Sequence, residues 1–162
     1  MLTISLKGID NAGRNFSGEV LPEALNLDST SLKGDVSFVK PIQYSFHVSE
    51  VSAGILVAGT MSAIVEVTCG RCLEPFDFEL TLNDVCHFLE NATTDIIDVT
   101  EDLREDLLIS LPVKFICDDE CAGLCCECGT NLNLESCSCD GSSSTELDPE
   151  TSPWDILDQV KI

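Results

Sequence analysis

Seven of the ten cysteines fall within residues 117–139, CDDECAGLCCECGTNLNLESCSC, where acids crowd the thiols and no lysine or arginine appears. Thiols this closely spaced leave three outcomes: disulfide staples, a dithiol redox centre, or thiolate ligands on a metal. Near residue 1 there is no basic flank leading into an apolar stretch, and nowhere do eighteen apolar residues run together. The chain is therefore expected in the cytoplasm, without membrane association. A reducing compartment disfavours structural disulfides and makes metal ligation the leading use of the thiols.

Zinc takes four ligands in a tetrahedron, with sulfur about 2.3 Å away, and one Cys-x-x-Cys turn supplies two of them. Four pairs are available: Cys69 with Cys72, Cys117 with Cys121, Cys125 with Cys128, and Cys137 with Cys139. Short loop closures favour a compact knuckle of Cys125, Cys128, Cys137 and Cys139. The other four, Cys69, Cys72, Cys117 and Cys121, would clamp a turn near residue 70 to the segment after a helix, with Ala122 to Leu124 as a hinge between the sites. Two structural zinc ions are expected. Four thiolates also hold a single iron, and sequence does not separate the two metals. Cys126 lies beside a ligand and offers a Cys-x-Cys alternative with Cys128 of poorer geometry; Cys86 is expected to be a small buried hydrophobe.

Catalysis finds no foothold. A site with four protein thiolates leaves no position for an activated water. His47 and His87 are single histidines with no nucleophile at a recognisable spacing. The stretch CGRC at 69–72 has the form of a redox dithiol, in which Arg71 would lower a neighbouring thiol pKa. That motif normally opens a helix in a βαβ unit, whereas here its flanks have the pattern of antiparallel strands. The chain is not expected to be an enzyme; redox sensing through zinc release stays open as an alternative.

The flanking pattern is the main fold signal. Leu2, Ile4 and Leu6 alternate with polar residues as a first strand, followed by irregular connection through residue 33. Ile42, Tyr44, Phe46 and Val48 alternate with polar residues. After a turn at Ala53-Gly54, residues 55–68 are rich in Ile, Val and Thr, and Phe76, Phe78, Leu80 and Leu82 alternate again. Residues 91–99 have loop character. Thr100 can cap a helix carrying Leu103, Leu107, Leu108 and Leu111, which Pro112 stops. The expected fold class is α+β: a mainly antiparallel sheet with one packed helix, a cysteine-rich zinc-binding C-terminal segment and a short C-terminal helix. In domain terms this gives a core over 1–116, a knuckle region over 117–140, a flexible acidic linker over 141–152, and a helix over 153–162 with Trp154, Ile156, Leu157 and Val160 on one face.

Charge narrows the partner. The net charge is −21. Residues 84–162 hold nineteen acids against three bases, and residues 1–83 ten against five. Nucleic-acid binding draws its affinity from cations set against phosphates, which a chain this acidic lacks. A basic protein partner suits it better, although the same charge also serves solubility.

Four segments carry a resemblance. VEVTCGRCLEPF, DLREDLLISLPVKFIC, CAGLCCECGTNLN with CSC, and DPETSPWDILDQV resemble, in order, the signature segments of the YceD-type large ribosomal RNA subunit accumulation proteins. The resemblance covers roughly residues 60–162. In that family the knuckle commonly has proline where this chain has Cys126. The resemblance implies a non-enzymatic role in the synthesis, processing or stability of large-subunit (23S) ribosomal RNA. Together with the charge, it leads to an expected contact with a basic large-subunit ribosomal protein or rRNA maturation factor, ribosomal RNA being reached indirectly. A direct RNA-binding zinc knuckle is the competing reading.

Overall fold

The computed structural model describes residues 1–27, 36–52, 54–90 and 95–139. In chain order the elements are β1 (Thr3–Ser5), β2 (Arg14–Val20), a 3₁₀ turn (Pro22–Leu25), β3 (Val36–Phe38), β4 (Ile42–Val51), β5 (Gly54–Thr68), β6 (Pro75–Glu90), β7 (Ile96–Asp98) and α1 (Thr100–Ile109). Every strand pairing is antiparallel. The α+β expectation of a mainly antiparallel sheet with one α-helix holds among the described residues. The expected linker at 141–152 and helix at 153–162 lie outside them.

The period-two segments build the large sheet. β4 and β6 flank the long β5, β2 pairs the outer edge of β4, and β3 joins β5 at Val65–Val67, beyond the end of the β4 pairing. One face is apolar. Ile42, Phe46 and Val48 from β4 are buried with Ile55, Val57, Met61, Ala63, Val65 and Val67 from β5 and with Leu80 and Leu82 from β6. Against this face close Leu103 and Leu107 of α1, Ile4 of β1, Ile97 of β7, and Leu25 and Leu27 around the 3₁₀ turn. His87 Nε2 lies 2.6 Å from Asp106 Oδ2 and ties β6 to the helix.

A bulge corrects one expectation. Gly59 pairs with Val85 and Met61 with Leu82, so one residue of β5 faces two of β6. An extra residue inverts which side chains face inward beyond it. Leu80 and Leu82 are buried on even numbers; past the bulge the buried residue is Val85, and Cys86 turns outward to an exposed position. Its expected burial assumed an unbroken alternation.

Two further strands escaped the pattern for a common reason. β2 runs RNFSGEV with only Val20 buried, so it joins through a seven-residue backbone ladder and not through an apolar face. β7 lies within the stretch expected to be loop, is three residues long, and pairs with β1. The helix cap also differs. Thr100 is already helical, and Asp98 Oδ1 accepts from its amide at 3.0 Å and from its hydroxyl at 2.5 Å. The Thr100 hydroxyl oxygen accepts instead from the Leu2 amide at 2.7 Å, fastening β1 to the helix start. Among the described residues no helix is long and apolar enough to cross a membrane.

Candidate metal centres

The eight singled-out thiols gather into two groups of four, divided as the spacing suggests. Cys69, Cys72, Cys117 and Cys121 form one, and Cys125, Cys128, Cys137 and Cys139 the other. Within each group the sulfurs all lie within 4.8 Å of one another. Zinc with sulfur at 2.3 Å in a tetrahedron sets sulfurs about 3.8 Å apart. The separations of 3.9 Å between Cys69 and Cys121 and 3.7 Å between Cys72 and Cys117 fit that spacing, and no two of these cysteines are bonded. Either group could hold a metal ion. Cys126 and Cys86 belong to neither.

The first group sits where the β5–β6 connection meets the chain after α1. The turn closes by bonds from Leu73 N to Cys69 O at 3.0 Å and from Cys69 N to Glu74 O at 2.9 Å, with Leu73 held at φ +60°. The returning chain is placed by Phe115, whose ring meets Phe78 edge-on at 5.3 Å and whose carbonyl accepts from Gly70 N at 2.9 Å. This delivers Cys117 and Cys121 opposite Cys69 and Cys72. Cys69, Cys72 and Cys121 are buried, with Phe76 and Ile116 packed on them, while Cys117 is exposed.

Amides prepare the sulfur. Cys69 Sγ receives the amides of Arg71 at 3.4 Å and Cys117 at 3.5 Å. The amide of Cys72, then that of Cys117, hold the Cys69 thiol down to about 6 against the opposing effect of burial. An anionic sulfur is thereby available as a first ligand at neutral pH. The cause differs from the expected one, because the Arg71 guanidinium is spent elsewhere: its Nη1 donates to the carbonyls of Asp119 at 3.0 Å and Cys121 at 3.2 Å. Arg71 is a strut between the turn and the returning chain.

The second group is more open, with Cys128 exposed and Cys125, Cys137 and Cys139 half-buried. Its turn is closed by Gly129 N to Cys125 O at 2.9 Å and Cys125 N to Thr130 O at 2.8 Å. The Thr130 hydroxyl lies 3.1 Å from Cys128 Sγ and, with the Thr130 amide, lowers that thiol to about 6. Cys139 is pushed up to about 12, first by its bond to Cys128 and then by burial. In the first group Cys117 is likewise pushed up to about 12, by desolvation first, so each group pairs an easily ionised sulfur with one that holds its proton until a metal displaces it.

The hinge expected at Ala122 to Leu124 is instead a packed junction. Leu124 N donates to Arg71 O at 3.1 Å, Leu132 N to Gly123 O at 2.9 Å, and Leu124 bridges to Asn131. Gly123 has φ +76°, and a Cβ there would stand 3.1 Å from the Arg71 carbonyl, so the contact requires glycine. Two residues that sequence reasoning passed over complete the join. Asn133 Nδ2 donates to Cys121 Sγ at 3.4 Å while its Oδ1 accepts from Ala122 N at 2.8 Å, and Asn131 Nδ2 donates to Glu74 Oε1 at 3.3 Å. The available signal was TNLN, two amides on alternate residues inside a cysteine cluster.

Residues 87–161 match the sequence profile of the family described as large ribosomal RNA subunit accumulation protein YceD. An uncharacterized protein of Mycobacterium leprae is 33% identical over 124 residues, covering 67% of this chain and 55% of its own length. The chain thus spans little more than half of the mycobacterial relatives it matches. Two plant proteins, each described as large ribosomal RNA subunit accumulation protein YCED homolog 1, chloroplastic, are also similar. The one from Arabidopsis thaliana is 37% identical over 43 residues, covering 26% of this chain and 13% of its own length. The one from Zea mays is 30% identical over 79 residues, covering 48% and 26%. No solved structure matches. The signature of the YceD family thus runs from the last residues of β6 through the C-terminal thiols of this chain.

Proposed function

We propose that the chain is a non-enzymatic ribosome-biogenesis factor of the cytoplasm, supporting synthesis, processing or accumulation of 23S rRNA by contacting a basic large-subunit ribosomal protein or maturation factor. The match of residues 87–161 to the YceD profile supports the large-subunit rRNA role. The charge carries the choice of a protein contact. Residues 117–139 contain five acids and no lysine, arginine or aromatic residue. In this reading each thiol group binds one structural zinc through Cys69, Cys72, Cys117 and Cys121, or through Cys125, Cys128, Cys137 and Cys139. A dication held by four thiolates has a formal charge near −2, so filling the sites deepens the negative field. Such a surface attracts basic proteins in a fast, salt-sensitive manner and repels phosphate backbones.

Affinity purification of the full chain at low and at high salt tests this. A basic ribosomal or maturation protein should be recovered at about 0.05 M salt and lost near 0.5 M, where the screening length is a few ångströms. Recovery of naked large-subunit RNA without a basic protein at moderate salt would favour the RNA-binding knuckle instead. Metal analysis should return two zinc per chain; a coloured protein would indicate iron.

Thiol chemistry gives a second prediction. Brief alkylation of the metal-loaded protein should modify Cys86 and Cys126, both exposed and outside the two groups, before any other cysteine. Mass mapping that finds Cys69 or Cys121 among the first labelled sites would contradict ligation by the buried group.

A further inference from the structure

We propose that the two thiol groups load metal cooperatively, with Asn133 as the positioning residue through which the exposed group stabilises the buried one. The proposal rests on the reading that both groups hold metal. Cys69 receives its sulfur hydrogen bonds from amides of its own neighbourhood, Arg71 and Cys117. Cys121 does not. Its sulfur is met by Asn133 Nδ2 at 3.4 Å, from the loop that runs between Cys128 and Cys137. Asn133 can hold that pose because its own amide and Nδ2 both donate to Asn131 Oδ1, at 3.1 and 2.9 Å, and its Oδ1 takes the Ala122 amide. Asn131 is in turn anchored to Glu74, two residues past Cys72.

The loop bearing both asparagines is held by hydrogen bonds and by its thiols, with little apolar burial of its own. Leu134 and Glu135 amides turn back onto Asn131 O, Leu132 pairs with Gly123, and the side chains of Leu132 and Leu134 are exposed. Fixing Cys125, Cys128, Cys137 and Cys139 on one ion closes that loop and thereby fixes Asn133. A donor held in place on a ligating sulfur raises metal affinity, and losing such a partner costs about 10–100-fold. Binding linkage is reciprocal, so each group must raise the affinity of the other by the same factor. The asymmetry of exposure then sets an order of release: a chelator reaches the exposed group first, and its emptying loosens the buried group.

The test uses the full chain and zinc competition against a chromophoric chelator, with amide exchange of β4–β6 confirming that each variant keeps its sheet. Cys137→Ser/Cys139→Ser should bind one zinc, with affinity at the buried group lowered about tenfold. Asn133→Ala should bind two, with a similar loss at the buried group. Asn133→Asp should be weaker still: it keeps the shape and the acceptor for Ala122 but cannot donate to sulfur and adds a negative charge beside it. A purely structural role would rank aspartate above alanine, and that ranking overturns the proposal. Buried-group affinity unchanged in the double serine variant overturns it as well, while the metal reading survives. Failure of the wild-type chain to take up zinc at all overturns the metal reading and the coupling with it.

Discussion

With both thiol groups loaded as proposed, chelation is expected to abolish amide-exchange protection across residues 117–135 while β4, β5 and β6 stay protected. The two regions are held by different forces. The sheet and α1 bury Phe46, Met61, Leu103, Leu107 and their neighbours in a continuous apolar cluster, whose stabilisation by the hydrophobic effect involves no ion. Among the described residues, the segment 117–139 has no such cluster: the buried set there is Cys69, Cys72 and Cys121, with Phe76 and Ile116 against them. Its backbone order amounts to turns and one antiparallel bridge between Leu124 and Asn131. Structural zinc contributes roughly 10–16 kcal/mol in small peptides, comparable to the whole stability of a domain. Withdrawing it leaves four mutually repelling or reprotonated thiols per site and nothing apolar to replace them. Cys69→Ser should reproduce the loss around Cys117 and Cys121. Hydrogen exchange at the amides of Cys121, Leu124, Cys125 and Leu132 is the direct measure; protection surviving complete chelation would show that the turns stand without metal.

The same division explains what was legible beforehand. Alternation marks a residue only where one face of a strand is buried and the other is wet, so β4, β5 and the first half of β6 were plain from Ile42 to Leu82. β2 and β7 lie at margins where backbone pairing does the joining, and Arg14 to Glu19 show no apolar face to read. The bulge at Asn83 and Asp84 is a register event between two strands, and nothing local in LNDVC announces that Cys86 will face out. The two thiol groups were legible because Cys-x-x-Cys at 69–72 and 125–128 brings two sulfurs to one point whatever the surroundings. What spacing could not convey was orientation between the sites. That depends on side-chain amides of Asn131 and Asn133 and on the positive φ of Gly123, which in sequence look like an ordinary loop.

Gly59→Ala is expected to destabilise the protein by about 3 kcal/mol, at the upper end of what overpacking usually costs. Gly59 pairs with Phe46 on one side and Val85 on the other, immediately before the bulge in β6. A Cβ built there would lie 2.1 Å from the Ser45 carbonyl oxygen and 2.8 Å from Phe46 Cα. Both are backbone atoms of a paired strand, so relief requires β4 to move away from β5. That movement would break ladder bonds and lift the fully buried Phe46 from the core. Gly18→Ala is the matched control. Its Cβ would meet Tyr44 at the hydroxyl end, 3.0 Å away, in a side chain that can swing, and β2 lies at the edge of the sheet. Replacing glycine by alanine within a strand also lowers the entropy of the unfolded chain, worth about 0.5–1 kcal/mol in favour of folding. Gly18→Ala should therefore be close to neutral. Urea midpoints compared at equal slope read the difference. If Gly59→Ala proved as mild as Gly18→Ala, the close approach of β4 and β5 at this point would be wrong.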